Sequence, residues 1–221
     1  MVGVIIQARM GSTRLPGKVL KPILGNPLLY YSVFRSKLSK YVDKVIVATT
    51  ENSPEIIRWC QNNQVDFFIG SETDVLDRYY QAAQAFDLIT IVRVTSDNPF
   101  VDPRMIDLGV LYLQNTDCDY VSNQIQTRSW PYGLGIEVFT SKALKTCWKK
   151  ASSSEDREHV TPFILQNPEL FSLRELPRCG DLSYERITVD TLEDFENARS
   201  KLEKTIPQSG VGFSWKHIFE E

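Results

Sequence analysis

The chain has 221 residues, of which 42% are hydrophobic and 24% charged, and its formal net charge is −3. One globular core suits that length and composition. A general nucleic-acid binder, which carries a basic surface, is disfavoured, and no run is long and apolar enough to span a bilayer.

The first residues, Val2–Ala8, read as a buried strand rather than a signal peptide. Pro27–Leu38 carries Leu28, Leu29, Tyr31, Val33, Phe34 and Leu38 at helical spacing. Val45–Ala48 is a second strand, and Ser53-Pro54 then supply an N-cap and a first helical position for a helix through Cys60. Val65–Ile69 is a third strand, Asp74–Phe86 a helix, Leu88–Val94 a fourth strand, and the helix after Asp102-Pro103 runs to about Gln114. This regular alternation implies a parallel sheet with right-handed crossovers.

From Tyr120 the rhythm changes. Tyr120–Asn123 and Ile136–Phe139 read as strands joined by a polar connection, Gln124–Gly135. Ser141–Lys150 and Glu155–Gln166 read as helices, Phe171–Leu176 and Arg186–Val189 as strands, and Leu192–Leu202 as a helix. Phe213–Glu221 is a short amphipathic tail, expected to be a packing element, whether within the chain or at a subunit interface. No repeat or linker divides the chain, so residues 1–221 are expected to form a single domain. Its two halves, 1–115 and 116–221, divide where the strand–helix rhythm changes.

Cys60, Cys118, Cys147 and Cys179 are far apart with no CxxC pair, which suits reduced thiols in a cytoplasmic protein. With two histidines, a His/Cys zinc site is not expected.

Charge is distributed unevenly. No Asp or Glu precedes Asp43, whereas Arg9, Arg14, Lys18, Lys21, Arg35, Lys37 and Lys40 all do. Positive charge gathered at that end suits a polyanionic ligand. Its centre is the loop after the first strand, where Arg9, Gly11, Ser12, Arg14, Gly17 and Lys18 follow Val4-Ile5-Ile6. A buried strand feeding a Gly-rich basic loop presents N–H groups and cations to phosphate. The loop is not a Walker A sequence. Gly11 to Gly17 has one residue too many, Val19 replaces the magnesium-binding hydroxyl, and Pro16 lacks an N–H.

Asp97 follows the fourth strand, and Asp190 is expected to follow a strand in the same way. Ligands bind at the carboxyl edge of such sheets, so two carboxylates there could hold Mg²⁺ bridging phosphate oxygens. The structural alternatives are an Asx-turn before Pro99 for Asp97 and an N-cap for Asp190. Asp117-Cys118-Asp119 matches the DxD pattern of glycosyltransferases but precedes its strand, which places it at the wrong edge.

Several ordered motifs together resemble one family: QARMGSTRLPGK at 7–18, VLDRYYQAA at 75–83, SDNPFVDP at 96–103, GIEVF at 135–139, REHVTPFI at 157–164 and VDTLEDFE at 189–196. The chain is similar along nearly its whole length to the cytidylyltransferases that activate sugars as CMP- or CDP-type conjugates. Within that family it resembles the branch of the spore-coat polysaccharide biosynthesis protein F type.

The resemblance implies a Rossmann-like, mostly parallel sheet of the nucleotide-diphospho-sugar transferase type in three α/β/α layers. It implies that Arg9, Ser12, Arg14 and Lys18 hold the triphosphate of CTP, with Lys18 the principal catalytic cation beside Arg14 and Arg9. Ala8, Gly11, Ser71, Arg78 and Asp97 complete the nucleotide contacts, and Asp97 and Asp190 hold Mg²⁺. It further implies Glu137, Arg157 and His159 at the site of a sugar acid or sugar phosphate, and a homodimer. Gly135 departs from the family pattern, which has Asp there. A glycosyltransferase of the same fold class would need a DxD pair at a strand end. A silent nucleotide-binding protein would not need Arg9, Arg14, Lys18, Asp97 and Asp190 together.

Overall fold

The computed structural model describes residues 1–126, 129–177 and 180–219. Part of the polar connection (127–128), Cys179 and the last two residues of the tail lie outside the described residues.

The elements run in the order β1 (Val2–Gln7), β2 (Pro22–Ile23), β3 (Asn26–Pro27), α1 (Leu28–Ser36), β4 (Lys44–Thr49), α2 (Pro54–Asn62), β5 (Asp66–Ile69), α3 (Val75–Ala85), β6 (Thr90–Thr95) and α4 (Pro103–Asn115). Then come β7 (Tyr120–Ser122), β8 (Glu137–Thr140), α5 (Ser141–Lys150), α6 (Ser154–His159), α7 (Pro162–Gln166), β9 (Leu173–Glu175) and α8 (Leu192–Ser209). β2 and β3 form a small antiparallel pair, and the other strands among the described residues form one sheet in the order β5-β4-β1-β6-β8-β7-β9. β1, β4, β5 and β6 pair in parallel, whereas β8 is antiparallel to both neighbours. The sheet is therefore mostly parallel, with one reversed strand between β6 and β7.

The alternation of side chains along each strand builds two cores. On one face Val4 and Ile6 of β1, Val45 and Val47 of β4 and Val92 and Val94 of β6 meet apolar residues of α1, α2, α4 and α8. On the other, Ile5, Ile46, Ile91 and Phe139 meet Leu76 and Tyr79 of α3 and Leu144 and Cys147 of α5. The result is the expected three-layer α/β/α arrangement. Cys60, Cys118 and Cys147 are buried free thiols. No helix of the described residues is long and apolar enough to cross a membrane.

Two expectations need correction. The segment 155–166 is two helices, because Val160 adopts φ 73° between them and Pro162 starts the second without an N–H to offer. Arg186–Val189 is not a strand. Its N–H groups go instead to scattered partners: Ile187 donates to the Tyr132 carbonyl and Val189 to that of Asp97. This satisfies the backbone without a ladder.

The described part of the tail packs on its own chain. Phe213 is buried against Phe100 and beneath the Arg35 guanidinium, and Trp215 N donates to Asp102 Oδ2 at 2.7 Å.

Candidate active site

The carboxyl ends of β1 and β6 open onto a cavity of about 610 Å³. The loop after β1 is shaped by its own backbone. Met10 N donates to Ser53 Oγ, the carbonyl of Met10 accepts from Ser12 N and Gly17 N, and Gly17 takes φ 66°. That left-handed conformation comes readily to glycine. It turns the chain into a short 3₁₀ turn, Lys18–Leu20, that carries the Lys18 side chain inward.

Lys18 is 8% exposed, and its ammonium is fully engaged. Nζ donates to Asp97 Oδ2 at 3.1 Å, to Asp190 Oδ1 at 3.0 Å and to the Val189 carbonyl at 2.6 Å. Asp97 is fixed by Thr95 Oγ1, which donates to its Oδ1. Although Arg186–Val189 is not a strand, the bond from Val189 N to the Asp97 carbonyl brings Asp190 beside Asp97. Asp190 is not the N-cap of α8. Thr191 is, in a capping box with Asp194, so the Asp190 carboxylate is left for the site. Its Oδ1 also meets Arg14 Nη2 at 3.0 Å, and its Oδ2 accepts from Arg186. Partial burial alone would raise the Asp190 pKa, but the Lys18 bond and the charges of Lys18, Arg14 and Arg186 outweigh it and hold the carboxyl below its usual range.

The residues read from the sequence as nucleotide-binding mostly meet here. Ala8, Arg9, Gly11, Ser12, Arg14, Lys18, Arg78, Asp97 and Asp190 all line the cavity. Ser71 does not. Its hydroxyl accepts from the N–H of Asp74, the residue before α3, its carbonyl accepts from Arg78 Nη1, and its neighbours Glu72 and Thr73 reach the cavity instead. Arg78 is 2% exposed and its Nε has no partner among the described residues.

The expected acceptor residues separate. His159 lines the first cavity with Glu158. Glu137 lines an adjoining cavity of about 270 Å³. Arg157 is in neither lining: its guanidinium grips Asp74, the N-cap of α3, and donates to the Trp148 carbonyl.

The basic N-terminal segment also divides. Arg9, Arg14 and Lys18 face the cavity, but Arg35 is wholly buried and donates to the carbonyls of Val101, Val211 and Phe213. Burial pushes its pKa down to about 10. Arg93, absent from the expected site, lines both cavities. A lone charge in the otherwise uncharged strand Thr90–Thr95 was the available signal for it.

Asp117-Cys118-Asp119 lies at the other edge, where Asp119 Oδ2 accepts from the N–H and hydroxyl of Ser172. Among the described residues no three His, Cys, Asp or Glu side chains gather into a metal cluster. Asp97 and Asp190 form a pair.

A basic cavity at the carboxyl edge of an open α/β sheet, with Lys18 set between two carboxylates, is the arrangement of a nucleotidyltransferase-type site. The chain belongs to the cytidylyltransferase family, whose model matches residues 3–221. It is 36% identical to the spore coat polysaccharide biosynthesis protein SpsF of Bacillus subtilis over 95% of its length and 90% of that protein's. It is 37% identical to a 3-deoxy-manno-octulosonate cytidylyltransferase of Polynucleobacter necessarius, covering 93% of this chain and 78% of the relative. The solved structure of a cytidylyltransferase from Leptospira borgpetersenii superposes with a TM-score of 0.91 at 35% identity, covering 99% of this chain and 92% of that one.

Proposed function

We propose that this cytidylyltransferase moves CMP from CTP to a sugar acid or sugar phosphate in surface polysaccharide or glycan synthesis. The observation that carries the reading is the Lys18 ammonium held between Asp97 and Asp190 in the wall of the larger cavity. The triphosphate lies along Arg9, Ser12, Arg14 and Lys18, with Arg78 and the loop at Glu72-Thr73 beside the nucleoside.

An acceptor oxygen attacks the α-phosphorus, a new P–O bond forms there, and the bond to the β-phosphate oxygen breaks to release pyrophosphate. Charge builds on the bridging and non-bridging oxygens as this happens. Cations already in place stabilise that charge without reorganisation. Lys18 is anchored for that role by two carboxylates and a carbonyl.

Asp97 and Asp190 also fit Mg²⁺. Two hard carboxylates on one edge, beside room for phosphate oxygens, make the donor set this ion prefers. Bound there, Mg²⁺ would neutralise phosphate charge and polarise the α-phosphorus.

A homodimer and a cytoplasmic location complete the proposal. Exposed Leu165, Leu170, Tyr184 and Leu192 in the second half support the dimer, and the buried free thiols suit a reducing compartment.

CTP-dependent pyrophosphate release with Mg²⁺, read against a panel of sugar acids and sugar phosphates, tests the activity. Release that is independent of any acceptor, or absent with all of them, refutes it. Light scattering of the purified protein tests the dimer, and a monomer at micromolar concentration contradicts it.

A further inference from the structure

The smaller cavity shares Arg93 and Thr95 with the larger one, so Arg93 stands at their junction. Among the described residues, the charged lining of the smaller cavity is Arg93 and Glu137 alone. They are register partners on β6 and β8, and Arg93 Nη1 donates to Glu137 Oε2. Glu137 is fully occupied: Tyr120 Oη donates to its Oε1 at 2.7 Å and Thr161 Oγ1 to the same oxygen at 2.6 Å. It therefore holds Arg93 rather than reaching for a ligand. Against the cost of burial, the Arg93 charge and these hydrogen bonds keep its pKa below the usual range, so the pair stays ionised.

Arg93 is not saturated. Its Nη2 has only a long 3.5 Å contact with Gln7 Oε1, and its buried Nε has no partner among the described residues. Two more buried polar atoms without partners there, Asn98 Oδ1 and Thr188 Oγ1, belong to residues lining the smaller cavity. Buried polar atoms in folded proteins are normally paired, so three unpaired ones behind the wall of one cavity mark that wall as incompletely satisfied. Gly135 contributes to the same wall. A Cβ there would stand 3.0 Å from Gln124 Nε2, so the absence of a side chain leaves the Gln124 carboxamide in that place.

We propose that Arg93 is a specificity-determining residue: its free guanidinium edge binds the one acidic group of the acceptor at the junction of the two cavities. The uncharged, hydroxyl-bearing body of the acceptor fills the smaller cavity, against Asn98, Gln124 and Thr188. The inference rests on the CTP-dependent transfer proposed above. A planar guanidinium anchored through Nη1 leaves Nη2, held only by the long Gln7 contact, as the charged donor for a carboxylate or a phosphate. The acid lies next to the attacking end of the acceptor, because Arg93 also lines the phosphate cavity.

The test uses the intact protein with CTP and Mg²⁺. The acceptor probes are 3-deoxy-manno-octulosonate as a carboxylate and glucose 1-phosphate as a phosphate, with glucose as the neutral control. Arg93→Met alone strands the Glu137 charge and risks unfolding, so the decisive variant is the double change Arg93→Met with Glu137→Gln, which removes both charges together.

Turnover of one acid, with glucose inert, is expected from the unmodified protein, and which acid reacts separates carboxylate from phosphate. In the double variant the KM for that acid should rise at least about tenfold, the size of one lost charge-assisted hydrogen bond. The KM for CTP should stay within about twofold, and Arg93→Lys should recover part of the loss.

A double variant that is less stable but keeps its acceptor KM shows a purely structural pair and overturns the proposal. So does a CTP-stabilised protein that turns over neither acid. Absence of stabilisation by CTP refutes the parent reading instead, and this proposal falls with it.

Discussion

Lys18→Ala separates the catalytic account from a structural one. The substitution strips three hydrogen bonds from Nζ and leaves Asp97 and Asp190, whose side chains are 27% and 20% exposed, facing each other without their shared cation. Full burial of an orphaned charge would cost about 3–5 kcal/mol. Here solvent reaches both carboxylates, and Arg14 and Arg186 still hold Asp190. The expected loss of stability is therefore about 1–2 kcal/mol. For a chain of this size that lowers Tm by roughly 2–8 °C.

Catalysis should suffer more, because the developing pyrophosphate charge loses its best-placed donor. Removal of one preorganised donor of this kind costs about 10²–10³ in kcat. Pyrophosphate release at saturating CTP and acceptor, measured well below the lowered Tm, reads the effect. A variant that keeps its rate within about threefold while losing stability makes Lys18 a structural tie and refutes the reasoning.

Asp190→Asn should reduce kcat and raise the Mg²⁺ concentration needed for half-maximal rate, whereas Thr191→Ala, which removes only the α8 cap, should cost about 1 kcal/mol of stability and leave kcat largely intact. Kinetic titration with Mg²⁺ and thermal unfolding of both variants check this. Asp190 also sets a pH dependence. Its folded pKa lies below the ordinary aspartate value of 3.8, so its contribution is present above that value and is lost as pH falls through the folded pKa. Between pH 5 and pH 3, Tm should therefore fall more steeply for the unmodified protein than for Asp190→Asn; parallel curves contradict it. Arg157→Ala should destabilise the fold by about 1–3 kcal/mol through loss of its grip on Asp74, and the acceptor KM should stay near normal. A raised acceptor KM in a stable Arg157→Ala protein would return that residue to the substrate.

The gathering of the basic loop around one cavity was legible because its residues are local. Arg9 to Lys18 are contiguous, they follow an apolar run, and Gly17 marks the turn that aims Lys18 inward. Asp97 was legible because a buried strand ends just before it. Asp190 comes beside Asp97 for a reason other than the one expected, since one backbone bond between Val189 and Asp97 does what a strand was thought to do.

The rest depends on contacts between distant segments, which periodicity does not encode. Arg35 sits in the same basic run as Arg14 yet turns to the tail carbonyls of Val211 and Phe213. Arg157 looked like a free cation until Asp74, far away in sequence, proved to be its partner. Glu137 was placed at the acceptor side, but its engagement by Tyr120, Thr161 and Arg93 was invisible without β8 lying antiparallel to β6.

The central claim is that this cavity is built for CTP. Its most direct test is thermal unfolding of the unmodified protein with Mg²⁺ and each of CTP, UTP, ATP and GTP in turn. At a hundred times its Kd, a ligand that binds only the folded state adds about 2.7 kcal/mol, or roughly 5–11 °C in Tm for a chain of this length. The account predicts that shift for CTP and a clearly smaller one for the other three at equal concentration. Equal shifts for all four, a larger shift for a purine nucleotide, or none at all would contradict it.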